Sequence, residues 1–329
     1  VTSIPWTLLV LGELNPDVLL DSDGGPVAFG QVETELRDAA VTLGSSGAIT
    51  AAAAAALGLP VAMCAVLGDD ELGSFTLGLL ERTGVDAGAV IRRKNRATGL
   101  TVVINVPGGD RALLTFPGTM AELRVADIPA ELLTDARHVH VSSIFLQRAL
   151  LPELATLFAE LRARGVTTSL DTGWDPRQDW GGIADALENT SYIFPNEAEL
   201  GGIAQRLGIA HHQDTPHWYV GAARALSALG PTVVLKRGGH GGLVCSKDTG
   251  LQLDTEPATP FDTTGAGDNF NAGFLHGVSR GAPLAECLAS AVAAGTVSIQ
   301  GRGGTGSLAT PAELQERIAG SFPHVRVLW

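Results

Sequence analysis

Apolar runs short enough to be strands recur along this chain, with helical patterns between most of them. That alternation constrains the fold more than any other feature of the sequence. The runs are TLLVLG (7–12), VAMCAVLG (61–68), HVHVSS (138–143), VTTSLD (166–171), SYIF (191–194), TVVLK (232–236) and GGLVCS (241–246). Helical spacing marks 46–57, 71–83, 152–164, 197–207 and 217–229, followed by 267–279, 284–299 and a short helix from Pro311. Strands that are apolar throughout must be covered on both faces, which predicts an α/β fold with a mostly parallel sheet between helices. With 329 residues, 45% of them hydrophobic, one large domain can bury such a core.

Two segments interrupt the pattern. Residues 14–43 carry Asp, Gly and Pro punctuation without a strong helical period, and ATGLTVVINVPGGDRALLTF (97–116) reads as a hairpin around PGGD. Together they predict a small sheet standing off a single domain (1–329), placed as a lid. An exposed edge on that sheet invites a second copy, so a homodimer through the lid is one expectation.

Charge excludes some partners. There are 22 basic and 35 acidic residues, a net charge of −13, which disfavours nucleic acid or an acidic membrane surface. The apolar stretch AITAAAAAALGLPVAMCAVLG resembles a membrane span in length, but Gly58 and Pro60 divide it into a buried helix and a buried strand. No secretory signal is expected. The three cysteines, Cys64, Cys245 and Cys287, lie far apart without metal-ligand spacing, as suits a reducing cytosol.

The stretch DTTGAGDNFNAGFLHGV (262–278) passes from turn residues into helical spacing. The first amides of a helix lack internal partners and sit at the positive end of its dipole. Gly265 and Gly267 let those amides converge into an anion hole. Asp268 could be only a first-turn acid. Beside an anion hole, however, a carboxylate makes sense as the base that deprotonates a hydroxyl attacking a phosphoryl group.

DTTGAGDNFNAGF closely resembles the C-terminal signature of the ribokinase-like (PfkB-type) carbohydrate kinases. The resemblance implies a three-layer α/β/α sandwich with a β lid, and ATP-dependent phosphorylation of a primary hydroxyl on a sugar or sugar-derived substrate. Asp268 would be the base, and Gly265, Ala266 and Gly267 the anion hole with the Asp268 amide. FPNEAEL (194–200) is similar to the family's NxxE element, which implies Asn196 and Glu199 near Mg²⁺ and the nucleotide phosphates. The same residues also read as a helix cap and first-turn acid. In VVLKRGGHGGLV (233–244), Lys236 or Arg237 could touch phosphate, Gly239 allows close backbone approach, and both cations could equally be solvated hairpin residues.

In GELNPDVLL (12–20), Asn15 and Asp17 match the family's sugar-hydroxyl ligands. LGSSGAITAAAAAALG (43–58) stands where the family has a Gly-Gly substrate loop, but Ser45 replaces the second glycine and Ile49 falls where asparagine is usual. Contacts there would come from Ser45, Ser46 or Gly47. Arg111 in the lid could meet a substrate anion, and SSIFLQR (142–148) could bring Gln147 near the substrate. Asp262 and Thr264, with Ser298, Gly301, Gly303 and Ser307, resemble the family's monovalent-cation site, implying potassium.

Two other readings stand beside this one. An aromatic stack in the acceptor pocket would favour a nucleoside kinase of the same fold, which ranks lower because Phe29 is the only aromatic residue in 14–47. A non-catalytic sugar- or nucleotide-binding module would not need Asp268 and its glycines together. A dinucleotide-dependent dehydrogenase lacks its usual fingerprint here, because GELNPD, not GxGxxG, follows the first strand.

Overall fold

The computed structural model describes residues 8–23, 29–106, 111–210, 215–255, 257–321 and 324–329. Its strands are β1 (Leu8–Leu11), β2 (Pro16–Asp21), β3 (Asp38–Leu43), β4 (Val61–Gly68), β5 (Asp86–Arg93), β6 (Leu100–Asn105), β7 (Arg111–Phe116), β8 (His138–Val141), β9 (Thr167–Leu170), β10 (Tyr192–Ile193), β11 (Thr232–Lys236), β12 (Gly242–Cys245), β13 (Gly250–Leu253) and β14 (Arg326–Val327). The helices are α1 (Ser46–Ala56), α2 (Glu71–Glu81), α3 (Ala130–Asp135), α4 (Leu154–Ala163), α5 (Ala184–Leu187), α6 (Glu197–Arg206), α7 (Trp218–Ser227), α8 (Ala266–Ser279), α9 (Leu284–Ser298) and α10 (Pro311–Ser321).

Ten strands form one sheet in the order β14-β13-β12-β11-β10-β9-β8-β1-β4-β5. Pairing is parallel from β5 to β11 and antiparallel beyond it. Side-chain alternation divides the core. Leu9, Leu11, Cys64 and Val66 face a layer built on α4, α6 and α7, while Leu8, Val10, Met63 and Ala65 face α1, α8 and α9. The alanine-rich stretch is helix α1 running into the buried strand β4, and no helix among the described residues is long and apolar enough to cross a membrane. All three cysteines are buried and unpaired.

The strand order reverses at β1. The chain goes outward through β4 and β5, then returns to lay β8 against the other side of β1. Loops leaving β1 and β8 therefore diverge, which opens a crevice at the carboxyl ends of the strands.

The four remaining strands form a second sheet in the order β3-β2-β6-β7. Both interrupting segments contribute to it, but the join is a parallel β2–β6 pair, which no hairpin pattern announces. The PGGD turn, 107–110, lies outside the described residues. Strand β5 was not expected either. It is an edge strand with half-buried residues on both faces, and its sequence, DAGAVIRR, has only Val90 and Ile91 as large apolar residues between charged ends.

Candidate active site

Two cavities lie at the carboxyl ends of the parallel strands. One, of about 640 Å³, is bounded by Asn196, Lys236, Arg237 and Gly239, with walls from Thr255, Pro257, Phe270, Val292 and Thr296. The second, of about 510 Å³, holds Glu13, Asn15, Asp17, Ser45 and Ser46 and is roofed by Thr101, Val103, Leu113 and Thr115 of the small sheet. Arg111, Gly265 and Asp268 line both.

The shared wall is the start of α8. Gly265 stands before it at φ 73°, and a Cβ there would meet Gly304 Cα at 2.4 Å, so only glycine fits. The Ala266 and Asp268 amides donate to the Thr263 and Gly265 carbonyls. Among the described residues no main-chain carbonyl accepts from the Gly265 or Gly267 amide, so those two are the donors left for an anion. Asp268 Oδ1 accepts from Ser46 Oγ at 2.6 Å. Burial, with the charge of Asp171 behind it, pushes the Asp268 carboxyl up to about 8.

In the smaller cavity, Asn15 Nδ2 donates to Asp17 Oδ1 at 3.3 Å, and a Cβ on Gly44 would fall 2.1 Å from that same oxygen. The glycine is what lets Asp17 lie across the loop. Burial first, then the neighbouring Glu13, pushes Asp17 up to about 7. Ser45 has φ 66° and ψ 136°, a strained conformation for a residue with a side chain. Gly47 packs against Ser142 and Gln147 is fully buried with its amide on the Leu11 and Ser142 carbonyls; neither lines a cavity.

Beside the larger cavity, Asn196 and Glu199 form a reciprocal capping box on α6, at 2.9 and 2.8 Å. Glu199 is buried behind the cavity wall, and that burial pushes its carboxyl up to about 7 against the pull of Lys236. Arg237 pairs with Glu197 at 2.9 Å and lies 4.1 Å over the Tyr219 ring. Lys236 pairs with Asp171 at 2.6 Å. Arg111 reaches down from β7 to Thr264 Oγ1 at 3.2 Å. Asp262 accepts from the Thr264 and Gly303 amides, both at 2.8 Å, and so draws the two loops of the expected cation site together.

Sequence reasoning missed Glu13, Asp171, Asn271, Arg148 and Trp174. Glu13 accepts from Ser46 N at 2.8 Å and Ser142 Oγ at 3.2 Å, joining the loops after β1 and β8. It stood in the quoted GELNPD and could have been found there. Trp174, in TGWDPR, and the apolar walls of the larger cavity gave no signal.

Two cavities that meet at one carboxylate and one helix start have the layout of a small-molecule kinase, because donor and acceptor must approach in line across a shared point. The chain belongs to the pfkB family of carbohydrate kinases, whose family model matches residues 7–311. It is 27% identical over 298 residues to a nucleoside kinase of Methanothermobacter thermautotrophicus, covering 89% of this chain and 90% of that one. To the ribokinase of Bacillus subtilis it is 25% identical over 313 residues, covering 95% and 99%. The Arabidopsis thaliana ribokinase complexed with ribose and ATP superposes with a TM-score of 0.77 at 24% identity, over 95% of this chain and 99% of that one. The protein is thus a sugar or nucleoside kinase with the ribokinase fold.

Proposed function

We propose that the chain transfers the γ-phosphoryl group of ATP to a primary hydroxyl of a sugar or sugar-derived acceptor. The observation that carries this reading is the wall of Arg111, Gly265 and Asp268 common to both cavities. ATP occupies the larger cavity, with its terminal phosphate on the Gly265 and Gly267 amides and near Lys236. The acceptor lies in the smaller one with its hydroxyls on Asn15 and Asp17. Asp268 takes the proton as the acceptor oxygen bonds to phosphorus and the bond to ADP breaks.

Magnesium suits the donor set only as a hydrated ion carried on the phosphates, with Asn196 in the wall and Glu199 behind it to hold its waters. Bound there, it spreads charge between the phosphates. Each Asp262 oxygen accepts one main-chain amide and keeps a lone pair free, so potassium at this site would rest on Asp262 and Thr264 with carbonyls of residues 298–307. The small sheet acts as the lid: it already roofs the acceptor cavity, and its closure would exclude water. A screen for ADP release across sugars, sugar acids, sugar phosphates and nucleosides tests the reading; no release with any acceptor would overturn it.

One observation favours a nucleoside acceptor. Trp174 is 51% exposed, lines the acceptor cavity, and is braced edge to face by Trp180 at 5.3 Å, itself 6% exposed and packed on Phe145. A rigid, uncovered aromatic face is a base-stacking platform. On this reading Trp174→Ala raises KM for a nucleoside about tenfold and leaves that for a free sugar unchanged. An equal effect on both acceptors would count against stacking.

We also propose that two copies pack through their lids. Opposite the cavity, the sheet presents apolar rows in register: Val41–Val18–Val102–Leu114 and Ala39–Leu20–Ile104–Ala112. Leu114 is 59% exposed, and Phe116 extends the face. A second copy of the same face is the self-complementary cover. Leu114→Asp is expected to convert a dimer to a monomer in sedimentation velocity, and a wild-type monomer would refute the proposal.

A further inference from the structure

Asp171 has no role in the reaction described above, yet it touches the groups that do. It follows β9 and is 2% exposed. Its Oδ2 accepts from Lys236 Nζ at 2.6 Å and from Asn271 Nδ2 at 2.5 Å, and its Oδ1 accepts from Gly173 N at 3.1 Å. Lys236 ends β11, two strands away across β10, and Asn271 lies on α8 one turn beyond Asp268. One carboxylate therefore joins two strand ends to the helix that carries the base. The Lys236 side chain runs beneath the helix start: a Cβ built on Gly267 would lie 3.3 Å from its Cδ and 3.6 Å from its Nζ.

We propose that Asp171 is a positioning residue which, with Asn271, fixes the Lys236 ammonium against Gly267, where it faces the phosphoryl group as that group moves between the cavities. The proposal rests on the kinase reading. A lysine stem is flexible, and a charge that must be ordered during the reaction stabilises it less than one already in place. Asp171 also restrains Lys236 from another partner. Asp268 and Glu199 are the other carboxylates whose charge acts on Lys236, and a direct pair with Asp268 would occupy the base.

Three variants test this: Asp171→Asn, Lys236→Met and the two combined. Each single change is expected to lower kcat about 10²-fold. The ATP Kd by calorimetry should rise far less than kcat falls, since the charge acts more strongly on the group in transit than on bound ATP. Each single variant should also melt at a lower temperature, because one buried charge has lost its partner. The double variant removes both charges, so its Tm is expected to recover while kcat stays low. Recovery of kcat along with Tm, unchanged kcat in the single variants, or a loss in ATP affinity as large as the loss in kcat would each overturn the proposal. A wild-type chain that phosphorylates no acceptor would instead strike the kinase reading itself.

Discussion

Asp268→Asn is expected to lower kcat by about 10³- to 10⁴-fold, the scale of a lost general base, with nucleotide affinity nearly unchanged. The amide keeps an oxygen for the Ser46 hydroxyl, so the helix start should hold its shape. Turnover measured beside ATP calorimetry decides the matter, and near-normal turnover would remove Asp268 from the role of base. The wild-type pH profile gives a second check. Burial and the nearby Asp171 hold the free carboxyl at about 8, and only its ionised form can accept a proton. The plot of kcat/KM should therefore climb with pH through about 8 and flatten above it, and Asp268→Asn should abolish that limb. The same shift bears on stability. A carboxyl whose pKa is raised on folding opposes the fold as pH rises from its ordinary value toward the raised one. At neutral pH the Asn variant is accordingly expected to melt at a higher temperature than wild type.

Asp17→Asn is expected to lower kcat/KM for the acceptor by about 10²-fold, with the KM for ATP little changed. Asp17 is 7% exposed and lines the smaller cavity beside Glu13. Two carboxylates this close resist ionising together, which is why burial and Glu13 push Asp17 up to about 7. An acceptor whose hydroxyls donate to Asp17 stabilises its charged form, and an amide offers one acceptor oxygen in place of two. Steady-state kinetics with acceptor and ATP varied separately separates the cases. A change confined to ATP would place Asp17 outside the acceptor site.

Much of this site is local and therefore legible. Gly265, Gly267 and Asp268 stand within four consecutive residues, and the helix that orients them is coded by the apolar spacing just after them. Asn15 and Asp17 flank Pro16, the first residue of β2, and are marked by the resemblance of GELNPD to the family's motif. Asn196 and Glu199 form the cap that the sequence suggests, and Asn196 stands in the wall of the larger cavity. Other groups depend on neighbours far along the chain. Asp171 and Lys236 meet because β10 separates their strands, and nothing within either segment encodes that distance. Gln147 illustrates the reverse, a residue beside the right loop whose amide turns inward to main-chain carbonyls.

The sequence by itself determined the α/β class, the glycine turn with its carboxylate, and the existence of a small second sheet. Each rests on periodicity or on spacing within a few residues, where the backbone leaves little freedom. Only the tertiary structure decided that two cavities share Arg111, Gly265 and Asp268, that Trp174 stands half-exposed in the wall of the smaller one, and that Asp171 holds Lys236 beneath the start of α8. These depend on strand order and on the reversal at β1, which bring residues a hundred positions apart into contact, as Asn271 and Asp171 are. Local propensity cannot specify such contacts, because they arise from packing elements whose order in space differs from their order in the chain.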